Sequence, residues 1–128
     1  MVTAVQVLVP EGFPGNKPEW LVFQQLQRMG LTPGADFDFQ SSQLGGRMER
    51  GGTVLDFYIP ALGIALNVAS LYWHYGRPDQ VANDVRQREE LEAQGIRVVY
   101  LDEQDIYANA EFYVSEALKG IDHSRVTR

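Results

Sequence analysis

Two short apolar runs set almost end to end constrain this chain more than any other feature. Thr53-Val54-Leu55-Asp56-Phe57-Tyr58-Ile59 is rich in β-branched and aromatic residues and is ended by Pro60. Ile64 to Val68 follows after the turn Ala61-Leu62-Gly63. Side chains of this kind fit a pleated, half-buried surface, so both runs read as strands and their short link pairs them.

The flanking segments fall into the same punctuation. Val5 to Val9, closed by Pro10, predicts an N-terminal strand, and Glu11 to Asn16 a loop. Pro18 to Met29 reads as a helix with Glu19 in its first turn, Val22, Leu26 and Met29 at helical spacing, and Gly30 as stop. Phe37-Asp38-Phe39 alternates as a half-buried strand does. Gly45-Gly46 and Gly51-Gly52 bracket Arg47 to Arg50 as a hairpin or mobile loop. Asp79 to Gln94 predicts a polar scaffold helix with Val81, Val85 and Leu91 inward, and with Asp84–Arg88 and Arg86–Glu90 able to pair on its solvated side. Arg97 to Leu101 is a buried-type strand. Asp105 to Lys119 is a last helix, with Ile106, Ala110, Tyr113, Ala117 and Leu118 on one face, and residues 121–128 form a polar, flexible tail. After the first strand the order is α, β, β, β, α, β, α. The economical packing is an α/β fold with a central mixed β-sheet flanked by helices, one domain over residues 1–128 with residues 1–16 as an extension.

A length of 128 residues leaves little material for a second core, and 45% hydrophobic residues argue against a disordered chain. No apolar run approaches the roughly 20 residues of a membrane span. The N-terminal apolar patch lacks a basic flank, so it reads as neither signal nor transit peptide, and the expected location is cytoplasmic. Cysteine is absent, which excludes disulfides and thiolate zinc sites and leaves two histidines for imidazole chemistry. A net charge of −6 opposes loose binding to nucleic acid. It does not exclude a nucleic-acid enzyme, whose metal site must itself be acidic and whose rim needs only local basic groups such as Arg47, Arg50 and Arg77.

Asp56 stands in the middle of an apolar strand. A carboxylate there is hydrogen-bonded, paired or bound to a metal, because burying it alone is costly. One reading is a structural Asp bonded to a loop N–H of the glycine-rich region. The other is chemical: paired strands carrying Asp56 and Asn67 converge an acidic oxygen, an amide oxygen and a backbone carbonyl, a donor set suited to Mg²⁺. His74, a few residues beyond, has the pKa range of a general acid or base. Its neighbours Tyr72, Trp73 and Tyr75 are equally suited to core packing.

Taken together, Asp56-Phe57-Tyr58-Ile59-Pro60, the strand Ile64 to Ser70, Tyr72-Trp73-His74, Asp84-x-Arg86 and Leu91-x-x-x-Gly95-x-Arg97-Val98 resemble the PD-(D/E)xK nuclease superfamily. The nearest likeness is to the very-short-patch-repair endonuclease branch and to phage Holliday junction resolvase-like proteins. It spans roughly Pro18 to Ile106, and Glu19 matches the acidic residue those families carry in the first helix. The resemblance implies a restriction-endonuclease-like core in a bacterial cell or phage-infected host, and Mg²⁺-dependent hydrolysis of DNA phosphodiesters, with Mn²⁺ able to substitute. Asp56, the Val68 carbonyl and the Asn67 amide would hold the ion. Glu19 would orient a second metal or its waters, His74 would act as general base or leaving-group acid, and Arg47, Arg50 and Arg77 would steady phosphates.

The departures from the pattern are specific. Where the superfamily carries an acid, a spacer and a Lys, this chain has Asn67, Val68 and Ala69. In the very-short-patch-repair branch that acid and Lys are likewise absent, and the motif Asp and the spacer carbonyl hold the metal. One of that branch's histidines matches His74; the other falls at Ala69, and its structural zinc has no counterpart here. A nuclease fold that has lost catalysis and binds DNA or protein, for instance in a phage assembly, is the alternative. A junction resolvase would act as a homodimer, with Val5 to Val9 available to pair with a second subunit.

Overall fold

The computed structural model of the chain describes residues 8–43, 53–69 and 78–125. The elements are α1 (Lys17–Arg28), β1 (Asp38–Gln43), β2 (Thr53–Ile59), β3 (Ile64–Ala69), α2 (Pro78–Ala93), β4 (Arg97–Asp102) and α3 (Glu103–Leu118). This is the α, β, β, β, α, β, α order read from the pattern. The strands form a mixed sheet in the order β1-β2-β3-β4. β1 and β3 run antiparallel to β2, and β4 lies parallel to β3. The short Pro60–Gly63 link permits only the antiparallel pairing. A parallel pair needs a crossover of about a dozen residues or more, and the connection containing α2 supplies it.

Each face of the sheet has its own cover. Phe57, Ile59, Leu66, Val99 and Leu101 pack with Val22 and Leu26 of α1 and with Ile106, Val114 and Ala117 of α3. Ala65, Val98 and Tyr100 pack on the other side with Leu91 of α2 and with Ile96. No helix among the described residues is long and apolar enough to cross a membrane.

Several local expectations change. Met29 is 36% exposed and caps α1 instead of entering the core. Leu8 and Val9 belong to no strand, and the rest of the expected N-terminal strand lies outside the described residues, as does the loop from Gly45 to Gly52. α3 is kinked: Asn109 leaves the helical conformation (φ −165°, ψ 81°), and its Oδ1 accepts the Phe112 N–H at 3.0 Å. Asn is a strong N-cap, so the residue starts a second helical segment within the predicted one. On α2 the Arg86–Glu90 pair forms at 2.8 Å in solvent. Arg88 does not lie on that solvated side: its guanidinium carbon sits 5.8 Å from the centre of the Tyr100 ring.

The tail is the largest correction. Residues 121–125 are not free but run along the outer edge of β4; residues 126–128 lie outside the described set. Asp122 accepts the Tyr100 N–H at 2.8 Å, Asp102 accepts the Arg125 N–H at 3.2 Å, and Ser124 is fully buried. An edge strand exposes N–H groups that seek acceptors: the Asp122 carboxylate answers the Tyr100 N–H, while the Arg125 N–H of the tail donates back to the Asp102 carboxylate of β4.

His123 also holds this segment, with Nε2 3.1 Å from Glu116 Oε1 and its ring against Phe112 and Tyr113. The hydrogen bond from His123, opposed by burial and helped by Lys119, keeps the Glu116 carboxyl below its ordinary value of 4.5. A carboxyl depressed on folding stabilises fully above its unfolded pKa, and that contribution fades as pH falls through the lower folded value. Acid unfolding of Glu116→Gln should therefore lack part of the stability loss that the parent chain shows below about pH 4.5. Parallel pH titrations of the denaturation midpoint measure it.

Candidate functional site

Main-chain pairing between β2 and β3 covers Ile59↔Ile64, Tyr58↔Ala65 and Phe57↔Leu66. The next partners in that register are Asp56 and Asn67, and there side chains take over. The Asp56 N–H donates to Asn67 Oδ1 at 3.0 Å, and the Val68 N–H donates to Asp56 Oδ2 at 2.7 Å. Because the partner of the Asn67 amide is an N–H donor, the atom facing it is the oxygen.

The same line is irregular in β1. The β1–β2 register passes from Phe39↔Phe57 to Ser41↔Leu55 without a Gln40–Asp56 pair, and Gln40 has φ +56°. Leu55 and Phe57, two residues apart, pack into different clusters, so the pleat of β2 turns at Asp56. The result is a fork between β2 and β3 whose inner edges are bridged by Asp56 and Asn67.

Val68 completes the fork. Its N–H points toward β2, and in an extended strand a residue's carbonyl leaves on the same edge as its N–H. A carboxylate and an amide oxygen thus cross between the two strands, and the Val68 carbonyl faces the same strand edge, all of them hard oxygen donors. Asp56 and Asn67 are half-buried, and the two hydrogen bonds that cross the fork are both accepted by their side-chain oxygens. That chemistry fits Mg²⁺, which takes few protein ligands and keeps several waters. Among the described residues no group of three or more His, Asp or Glu side chains converges.

Glu19 belongs to a different local structure. Its Oε1 accepts the Asn16 N–H at 2.8 Å while Asn16 Oδ1 accepts the Glu19 N–H at 3.0 Å, a reciprocal capping box that starts α1. The buried carboxylate lies beside Gly15, where an added Cβ would come within 2.7 Å of both Glu19 Oε1 and the Phe39 ring. The structure thus brings Asp56, Asn67 and Val68 together and places Glu19 in the helix cap. His74, Arg47, Arg50 and Arg77 lie outside the described residues.

Sequence reasoning missed Gln40 and Gly15. Nothing in the local sequence marks a long side chain for a left-handed backbone, and Gly15 read only as part of a turn. Gln40 reaches back to that turn, with Nε2 3.4 Å from the Pro14 carbonyl. No family model, curated protein or solved structure matches the chain.

The cap separates two roles for Glu19. Asn16→Ala should cost about 1 kcal/mol, the usual worth of an N-cap. Glu19→Gln keeps an acceptor for the Asn16 N–H and should stay within about 0.5 kcal/mol of the parent chain, since Gln also serves in a capping box. Urea denaturation of both variants is the measurement, and a loss of activity in a stable Glu19→Gln would then report chemistry.

Proposed function

We propose that this chain is a Mg²⁺-dependent DNA endonuclease with a restriction-endonuclease-like core, of the mismatch-nickase or junction-resolvase kind. The observation that carries the reading is the fork: Asp56, Asn67 and the inner edge of Val68 meet where the β2–β3 ladder ends. The α, β, β, β, α, β, α order and the mixed sheet support it as well.

Asp56, the Val68 carbonyl and the Asn67 amide oxygen would hold the ion, and Mn²⁺ would serve in its place. Bound there, such an ion supplies Lewis-acid polarisation of a phosphate oxygen and lowers the pKa of a coordinated water. The chain's own part is to orient and to move protons. The Val68 N–H fixes the Asp56 carboxylate, His74 acts as general base or leaving-group acid, and Arg47, Arg50 and Arg77 grip the phosphates. Glu19 acts by fixing the first turn of α1.

A second reading has its own observation. The same two hydrogen bonds serve a structural purpose by joining β2 to β3, which is what a catalytically silent fold that binds DNA or protein would also use them for.

Cleavage of mismatched, branched and single-stranded DNA at low salt, with and without Mg²⁺ or Mn²⁺, tests the proposal. Activity should require the metal and vanish in Asp56→Asn, because an amide is a poorer ligand for a hard cation. His74→Ala should lose ~10²–10⁴-fold. Asn67→Asp should tighten metal binding and raise activity. Cleavage that survives Asp56→Asn would place the chemistry elsewhere, and no cleavage together with no metal binding in Asn67→Asp would favour the silent fold.

A further inference from the structure

A second polar feature lies at the start of β4, where Arg97 and Val98 stand opposite Ile64 and Ala65, while the fork is level with Tyr100 and Leu101. A cleft of about 540 Å³ opens between Arg88 and Glu92 of α2, Arg97 and Val98 of β4, and the Gly120–Asp122 turn. Its two guanidinium groups come from different elements and share a feature. Among the described residues neither forms an ion pair.

Arg88 is the more constrained of the two. Its guanidinium sits by the Tyr100 ring, and Nη1 is closed off from solvent without an acceptor. A guanidinium is always charged and carries five donors; with Nη1 covered, the donors Arg88 can offer to the cleft it lines are its remaining N–H groups. Arg97 is exposed, and its Nε and Cδ lie over Gly120, where a Cβ would come within 3.2 Å of Nε. The glycine (φ +84°) both makes the turn and leaves room for that side chain.

The two acids beside the cleft form no ion pair with either guanidinium. Asp122 already accepts the Tyr100 N–H, the Ser124 N–H and the Ser124 hydroxyl along the strand edge. Glu92 follows Arg88 by one helical turn but stays in solvent. We propose that this cleft binds a phosphate group, held by Arg88 from α2 and Arg97 from β4. A carboxylate offers two oxygens in one plane, which suits one guanidinium fork. A tetrahedral phosphate presents oxygens in several directions and answers two forks arriving from two elements. The volume far exceeds one water's ~30 Å³, so the phosphate can carry an organic group.

The phosphate can belong to a small monoester or to a nucleic-acid backbone, and the test separates them. Inorganic phosphate, adenosine monophosphate and a short single-stranded oligonucleotide are titrated in EDTA, so that the outcome does not depend on the fork or on the nuclease reading. Binding is read by calorimetry and by amide shifts of Arg97 and Gly120 to Asp122. We expect saturable binding, at least tenfold weaker in Arg88→Gln and in Arg97→Gln, and stronger in Glu92→Gln. Binding of the two small probes would identify a free phosphate ligand; binding of the oligonucleotide alone, lost in the same variants, would identify a backbone contact. Failure of all three probes to saturate, or affinity unchanged in the arginine variants, would overturn the proposal. Should Arg88→Gln not fold, as judged by its denaturation curve, the exposed Arg97 carries the test.

Discussion

Two hydrogen bonds, from the Asp56 N–H to Asn67 Oδ1 and from the Val68 N–H to Asp56 Oδ2, hold β2 to β3 beyond the point where main chain pairs with main chain. Backbone donors inside a fold must find acceptors, and each one left without costs about 1–3 kcal/mol. Once the pleat turns at Asp56, the ladder no longer supplies them. The side chains of residues 56 and 67 do, each reaching across to the opposite strand. The fork is therefore a structural necessity before it is a candidate for chemistry, and the polar residue in an apolar strand has a physical reason on either count.

The helix α1 is anchored beside the same strands. Phe13 lies 5.1 Å from Trp20, 5.3 Å from Phe23 and 5.0 Å from Phe39, and Phe39 lies 4.9 Å from Phe57, centre to centre. This ring cluster joins the loop before α1, the first turns of α1, and the strand positions next to Gln40 and Asp56. Gln40 in a left-handed conformation costs about 1–2 kcal/mol. Its side chain returns a bond to Pro14, and its neighbour Phe39 gains aromatic packing on both sides. Gly15 is required because the cluster and the Glu19 cap leave no room for a Cβ. The helix cap, the aromatic packing and the strand irregularity are in this way parts of one local arrangement.

The features written in local pattern were legible in the sequence. β2, β3 and β4 follow from β-branched runs ended by proline or followed by acids, α1 from its proline start and glycine stop, and the order of elements from their punctuation. Features that depend on distant partners were not. The tail from Ile121 to Arg125 reads as polar and loose, yet its Asp122 accepts the Tyr100 N–H of β4 and its Arg125 N–H donates to Asp102 at the end of β4, partners that no local window contains. Asn109 looks like an ordinary helix residue until Phe112 needs an acceptor. Arg88 reads as the helical partner of Asp84, but tertiary packing sets it over Tyr100. At the site, Asp56 and Asn67 announce themselves as polar residues in apolar strands. The cap role of Glu19 was equally open to a capping-box reading, since Asn16 precedes it by three residues.

The choice of asparagine at position 67 follows from the same constraint. Two carboxylates about 4 Å apart repel by about 4 kcal/mol at an effective dielectric constant near 20, and they need a cation or a shared proton between them. An amide accepts the Asp56 N–H equally well and brings no second charge. Under the nuclease reading this exchanges metal affinity for independence of folding from metal. Under that reading Asp56 would set whether a cation is held at all. The residue at 67 would, under the same reading, set how strongly folding and metal binding depend on each other, because an amide satisfies the Asp56 N–H without a second charge and a carboxylate does not.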